Sequence, residues 1–140
     1  MISSPEPALR VKDLEVIFSD ASGVVHALRD LTFSLAPNEF VTLIGPSGSG
    51  KSTLLKVLSD LVPPTDGSVA YNKEYPRVGM VFQKANLMPW RRVIDNITLP
   101  LELLDIPRET VLSRAHDLIK LVGLEGFEKA YPRDLSGGMA

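Results

Sequence analysis

Cysteine is absent from all 140 residues. No disulfide framework and no cysteine-based zinc or iron–sulfur site is therefore available. An excess of positive charge is also lacking, since 15 Lys and Arg face 17 Asp and Glu for a net charge of -2. That argues against a nucleic-acid partner held by a general positive field, and against polybasic attachment to a membrane surface. No apolar run approaches the roughly 18 residues that a membrane-spanning helix needs. The opening MISSPEPALR has no basic start leading into an apolar stretch, so it does not read as a signal peptide. There is no internal repeat and no low-complexity tract. What remains is ordinary globular composition, 44% hydrophobic and 23% charged, in a chain long enough for a core.

The hydropathy pattern predicts strands first. Leu9–Phe18 reads as one, Asp20–Gly23 as a turn and Val24–Leu28 as a second strand. Leu31, Phe33 and Leu35 alternate with polar residues, which predicts a half-buried strand ended by Pro37-Asn38. Phe40–Ile44 is a short apolar run with a Gly-Pro stop, the pattern of a fully buried strand. A glycine-rich loop follows. Lys51–Leu61 then reads as an amphipathic helix on Leu54, Leu55, Leu58 and Leu61, stopped by Val62-Pro63-Pro64. Thr65–Gly67 is a turn into a strand at Ser68–Tyr71, and Val78–Phe82 is a further strand. The composition changes at Ala85, where a proline-rich stretch to Pro107 predicts loop and short helix. Arg108–Val122 is the cleanest helix, with Val111, Ala115, Leu118 and Val122 on one face and Gly123 past its end. This order predicts an α/β layer fold in residues 1–84 with a helical subdomain, 85–140, inserted into it. His26 and His116 have no metal-ligand partner nearby in sequence and read as structural.

The segment Gly45-Pro46-Ser47-Gly48-Ser49-Gly50-Lys51-Ser52-Thr53 fits the phosphate-binding pattern G-x-x-x-x-G-K-[ST]. A triphosphate packs about four negative charges into a small volume and needs many donors at once. Backbone N–H groups crowd that closely only where Cβ atoms do not obstruct them. Gly45, Gly48 and Gly50 allow the loop to wrap, and the helix that follows points its N-terminal dipole at the phosphates. Lys51 is placed to reach the β- and γ-phosphates, and Ser52 to offer its hydroxyl to Mg²⁺. Chance alone produces the four fixed positions in roughly one sequence in two hundred of this length. A P-loop by itself does not choose among kinases, GTPases and motor ATPases.

Two more motifs narrow the choice. Val81-Phe82-Gln83 ends an expected strand where the composition changes, and Leu135-Ser136-Gly137-Gly138-Met139 closes the chain. With the P-loop upstream, the chain resembles the nucleotide-binding subunit of an ATP-binding-cassette (ABC) importer from Leu9 to Ala140. The resemblance implies a P-loop NTPase core of the ABC ATPase type. It also implies that Gln83 is a Q-loop glutamine that touches Mg²⁺ and the attacking water, so that Lys51 and Gln83 serve catalysis, with Ser52 and Gln83 at the metal. It implies that Ser136, Gly137 and Gly138 belong to the signature motif, LSGGQ with Met139 for Gln, which closes over the nucleotide of a partner subunit. Phe18 sits where the family places an aromatic stacked on adenine, although a phenylalanine ending a strand is also an ordinary core residue.

The stretch ANLMPWRRVIDNITLPLEL is similar to the nitrate, sulfonate, taurine and bicarbonate importer group. There the region faces the membrane subunit, which would make Leu87, Met88 and Trp90 interface anchors. The other reading is a small satellite core under a loop. Arg91 and Arg92 read as solvated. The implied cofactors are ATP and Mg²⁺. The implied partners are a second ATP-binding subunit in a head-to-tail dimer, transmembrane permease subunits and, indirectly, an extracytoplasmic solute-binding protein, at the cytoplasmic face of the membrane.

No apolar strand ending in Asp-Glu follows the P-loop, so the family's Walker B strand has no counterpart before Ala140. On that reading the domain is incomplete at its C-terminus, and the chain alone is expected to turn over ATP poorly, to expose an unpaired sheet edge and to form no signature helix. A different P-loop NTPase must treat Gln83 and LSGGM as accidents. A non-transport ATPase of the same superfamily usually has a longer insertion than the 91 positions between Gly45 and Ser136. An inert nucleotide-binding fragment is the remaining alternative.

Overall fold

The computed structural model describes residues 6–21, 23–72, 78–104 and 106–140. The chain divides into two compact units, Met1–Met80 and Val81–Ala140.

The first unit is built on β1 (Leu9–Asp20), the central strand of an antiparallel sheet ordered β2-β1-β3. Its inward face is Leu9, Val11, Leu14 and Val16. The step from Val11 to Leu14 breaks period two because Asp13 lies at φ 49 in a bulge. The neighbouring β2 (Gly23–Leu35) has a matching irregularity at Asp30, φ 48. Thr32 clamps the pair of irregular segments. Its Oγ1 accepts the Asp13 N–H at 2.8 Å and donates to the Asp13 carboxylate at 3.1 Å. The two expected segments Val24–Leu28 and Leu31–Leu35 are therefore one bent strand, because a bulge redirects a strand without ending its ladder.

β3 (Asp66–Tyr71) pairs on the other edge of β1. It passes so close to the Asp13 bulge that a Cβ on Gly67, at φ 80, would overlap the Asp13 carbonyl. α1 (Lys51–Leu58) supplies Leu54 and Val57 to the core, with Leu58 partly buried beside them. The face expected on Leu55 and Leu61 is exposed. The helix stops at Leu58 in a Schellman motif, with Leu61 N–H on Lys56 O at 2.9 Å, Asp60 N–H on Val57 O at 3.0 Å and Asp60 at φ 56. Leu61 thus lies beyond the helix it was expected to line.

Two expected strands do not form. Phe40–Ile44 joins no ladder, and Phe40 and Ile44 are 93% and 92% exposed. Val78–Phe82 likewise runs without strand pairing, with Val81 and Phe82 exposed. A buried strand needs ladder partners and cover on both faces. Both edges of β1 are already taken, and among the described residues neither segment pairs with the outer edge of β2 or β3.

The second unit contains α2 (Val93–Glu102), α3 (Arg108–Leu121) and a 3-10 turn at Pro132–Asp134. Val111, Ala115 and Ile119 form the buried stripe of α3, packed toward α2. The stripe follows a spacing of four, so Leu118 and Val122, expected inside, stay on the open side of the helix. Among the described residues no helix is long and apolar enough to cross a membrane.

Candidate nucleotide-binding site

The loop at 45–50 is positioned by β2. Gly50 caps α1 in the left-handed region at φ 83. A Cβ there would overlap the Ala27 carbonyl oxygen and lie 2.8 Å from Leu28 Cδ2. Only glycine meets both demands, positive φ and contact with a neighbouring backbone. The loop bends through a turn closed by Ser49 N–H on Pro46 O at 3.3 Å. Lys51 then curls back over it. Its Nζ donates to Gly45 O at 2.9 Å, to Pro46 O at 2.7 Å and to Ser49 Oγ at 3.1 Å, the full complement of an ammonium group. The positive charge is thus held at the loop's rim by weak neutral acceptors.

Helix α1 starts at Lys51, and its first backbone bond runs from Leu54 N–H to Gly50 O at 2.9 Å. The amides before Leu54 have no acceptor inside the helix. No side chain caps this end, and its first turn carries no acidic residue. Unpaired donors, a helix dipole and a nearby ammonium together favour a bound anion. Ser52 places an exposed hydroxyl in the same turn, beside half-buried Thr53; Ser47 and Gly48 are exposed on the loop. Phe18, near the end of β1, lies opposite Val25 of β2 and is 46% exposed, with Val24 and Val25 exposed beside it.

The other candidates belong to the second unit. Gln83 is exposed near its start. Ser136, Gly137 and Gly138 are exposed on a single turn, closed by Met139 N–H and Ala140 N–H on Ser136 O at 3.0 and 3.1 Å. The loop residues, Lys51 and Ser52 are therefore gathered within the first unit, and Gln83 and the signature residues within the second.

Several further side chains fix the local structure of each unit. Asn96 in α2 holds the turn at Met88–Arg92. Its Oδ1 accepts Met88 N–H at 2.7 Å, and its Nδ2 faces the carbonyls of Met88, Arg91 and Arg92 at 3.2, 3.0 and 3.1 Å. The turn presents Trp90 at 72% exposure. Arg91, expected to be solvated, makes a two-pronged pair with Glu102 at 3.0 and 2.8 Å. Thr98, buried, donates to the same carboxylate at 2.7 Å. Arg91 first and Thr98 second hold the Glu102 carboxyl below its ordinary range. Arg92 is exposed, as expected. In the first unit the Tyr71 hydroxyl donates to Leu58 O, at the last residue of α1. Burial, and then the Asp60 charge, push that phenol above its ordinary value. Tyr71 lies in no recognisable motif, and Asn96 lies in the importer-like stretch from Ala85 to Leu103 without a role of its own there; its only sequence signal is an asparagine early in a helix.

A three-stranded antiparallel sheet beside a P-loop helix, followed by a helical unit, defines an ATPase cassette. The model of the ABC transporter family matches residues 28–140, and the chain belongs to that family. An ABC transporter ATP-binding protein of Methanocaldococcus jannaschii is 45% identical over 136 residues, covering 94% of this chain and 51% of that protein. The taurine import ATP-binding protein TauB of Rhizobium johnstonii is 41% identical, covering 94% and 52%. The aliphatic sulfonates import protein SsuB of Bacillus subtilis is 48% identical over 118 residues, covering 81% and 45%. The chain thus spans about half the length of the curated relatives it matches. Among solved structures, the ATP-binding cassette MJ0796, a dimer in a post-hydrolysis state with ADP and Pi, superposes with a TM-score of 0.80 at 30% identity over 94% of this chain and 64% of that one.

Proposed function

We propose that this chain is the ATP-binding part of a membrane importer and that the loop at Gly45–Thr53 holds the phosphates of ATP. The observation that carries this reading is the placement of Lys51, whose ammonium lies over the Gly45–Ser49 loop at the uncapped start of α1. An incoming triphosphate offers that ammonium charged oxygens in place of neutral carbonyls, a stronger class of hydrogen bond. The free amides at the start of α1 take the remaining phosphate oxygens. Ser52 supplies a hard oxygen in the same turn, the ligand type that Mg²⁺ takes alongside phosphates and water. When bound, Mg²⁺ neutralises charge on the β- and γ-phosphates. Exposed Phe18 is proposed as the face on which adenine stacks, and Gln83 as the residue that reaches the metal and the attacking water. Ser136, Gly137 and Gly138 would meet the nucleotide of a second ATP-binding subunit.

The domain division proposed is a nucleotide-binding core, 1–84, and a helical subdomain, 85–140. Partners on this reading are a second subunit of the same kind in a head-to-tail dimer and membrane permease subunits, at the cytoplasmic face of the membrane. A solute-binding protein acts further out. Similarity to the import ATP-binding proteins TauB and SsuB and to the dimeric MJ0796 cassette supports this picture. The solute class proposed is the sulfonate and taurine type; relatives named for methionine import match at 42% identity, so the loop chemistry itself does not select the solute.

The test is Mg²⁺-ATP binding to the chain beside a Lys51→Ala variant. Saturable binding that weakens at least about tenfold in the variant is expected, the loss of one charge-assisted contact to phosphate. Equal binding by both chains refutes the assignment of Lys51, and no binding by either refutes a nucleotide site built by these residues alone.

A further inference from the structure

The P-loop helix is short, and its two ends are held by different strands. At the front, Gly50 rests on the Ala27 backbone of β2. At the back, the Schellman motif satisfies the Lys56 and Val57 carbonyls, and the Leu58 carbonyl is taken by the Tyr71 hydroxyl of β3. Ser59 Oγ donates to Leu55 O at 2.8 Å in the same turn. The Tyr71 ring itself is fixed, packed against the core cluster and standing opposite Leu9 on β1. An eight-residue helix is stiff over its length of about 12 Å. Displacement of its last carbonyl therefore moves its first turn as well.

We propose that Tyr71 is a positioning residue for the nucleotide site: its hydroxyl, through Leu58 O, sets where α1 presents Lys51, Ser52 and the free amides of its first turn. Resting on the P-loop reading above, the inference adds a residue outside every motif of the sequence. At the front of α1, β2 bears on a glycine that has no side chain to lock. Without the hydroxyl, α1 keeps its apolar seat on Leu54 and Val57 but loses a directional bond at its far end. Apolar contact resists separation and is tolerant of sliding; a hydrogen bond is not.

The experiment compares Tyr71→Phe with the unmodified chain. Val11→Ala, a change in the core cluster shared with α1 that lowers the melting temperature but removes no hydrogen bond to α1, serves as control. Isothermal titration with Mg²⁺-ATP should give a Kd between about two- and tenfold weaker for Tyr71→Phe, the value of one neutral hydrogen bond, and unchanged for Val11→Ala. Reciprocity requires that bound nucleotide strengthen the bond, so near-ultraviolet titration should find the Tyr71 phenol ionising at higher pH with Mg²⁺-ATP than without, a signal missing from Tyr71→Phe. The titration is run in high salt, which screens the nucleotide's own charge, and there a residue with only a structural role shows no such shift. Amide exchange at Leu54 and Leu55 reads the position of α1 without nucleotide, and should speed up in Tyr71→Phe more than in Val11→Ala. If the chain binds no ATP, the exchange result still decides the tether while the nucleotide reading fails. Equal Kd values overturn the proposal, as do equal exchange rates in Tyr71→Phe and the unmodified chain.

Discussion

Replacing Asn96 by alanine should loosen the turn that carries Trp90 while leaving both helices of its unit folded. One amide side chain faces four backbone groups of Met88–Arg92. Its two N–H donors serve three carbonyls, so at least one bond is shared and the side chain is worth about three full bonds, each contributing roughly 1 kcal/mol net. Most of these groups reach water once released, which discounts the sum to about 1.5–2 kcal/mol. Asn96→Asp keeps the acceptor for Met88 N–H but aims a carboxylate at three carbonyls, so it should cost at least as much. Trp90 is the sole tryptophan of the chain, so its fluorescence follows the second unit from this turn. In urea, with a slope of about 1 kcal/mol/M for a unit of this size, the Trp90 midpoint should fall by about 1.5–2 M. Its anisotropy in buffer should also fall, because the turn gains motion. An Asn96→Ala chain with unchanged midpoint and unchanged anisotropy would refute the reasoning, since it would mean that Trp90 is held by packing and the four contacts are incidental.

Gly50→Ala should abolish Mg²⁺-ATP binding and destabilise the first unit by about 2–4 kcal/mol, the combined cost of a left-handed alanine and a steric overlap with backbone. Thermal unfolding and titration calorimetry check both, and a variant that melts and binds like the parent would show that Ala27 yields. The second unit should weaken in acid through Glu102. Its carboxyl is held below the ordinary glutamate value by Arg91 and then Thr98. The stabilisation is therefore present above about pH 4.3 and is lost as pH falls through the lower folded value. Urea midpoints read by Trp90 should drop as pH falls below about 4.3, less steeply in Glu102→Gln; parallel profiles would remove Glu102 as the cause.

The P-loop was legible because its chemistry binds consecutive residues. The glycines, Lys51 and Ser52 must be neighbours for a loop to pass into a helix, so the requirement is written as a string. The order of P-loop, Gln83 and LSGGM identified the ABC family for the same reason. β1, α1 and α3 were legible from periodicity, since each has one buried face, and β3 from the turn that precedes it. Where periodicity misled, a contact between distant segments had decided otherwise. The break expected within β2 is bridged by Thr32 and the Asp13 bulge, 19 positions away. The apolar run Phe40–Ile44 has the composition of a buried strand, yet composition does not supply a ladder partner.

Sequence by itself determined the family and the loop motif for which phosphate binding is proposed, because these depend on residue type and near-neighbour spacing. Tertiary structure alone decided which side of α3 is buried, that Arg91 pairs with Glu102, that Asn96 staples the Trp90 turn, and that Tyr71 reaches Leu58 across 13 positions. Those bonds depend on where two segments cross. No local spacing encodes a crossing, since the free energy that creates it is spread over the core on which both segments pack.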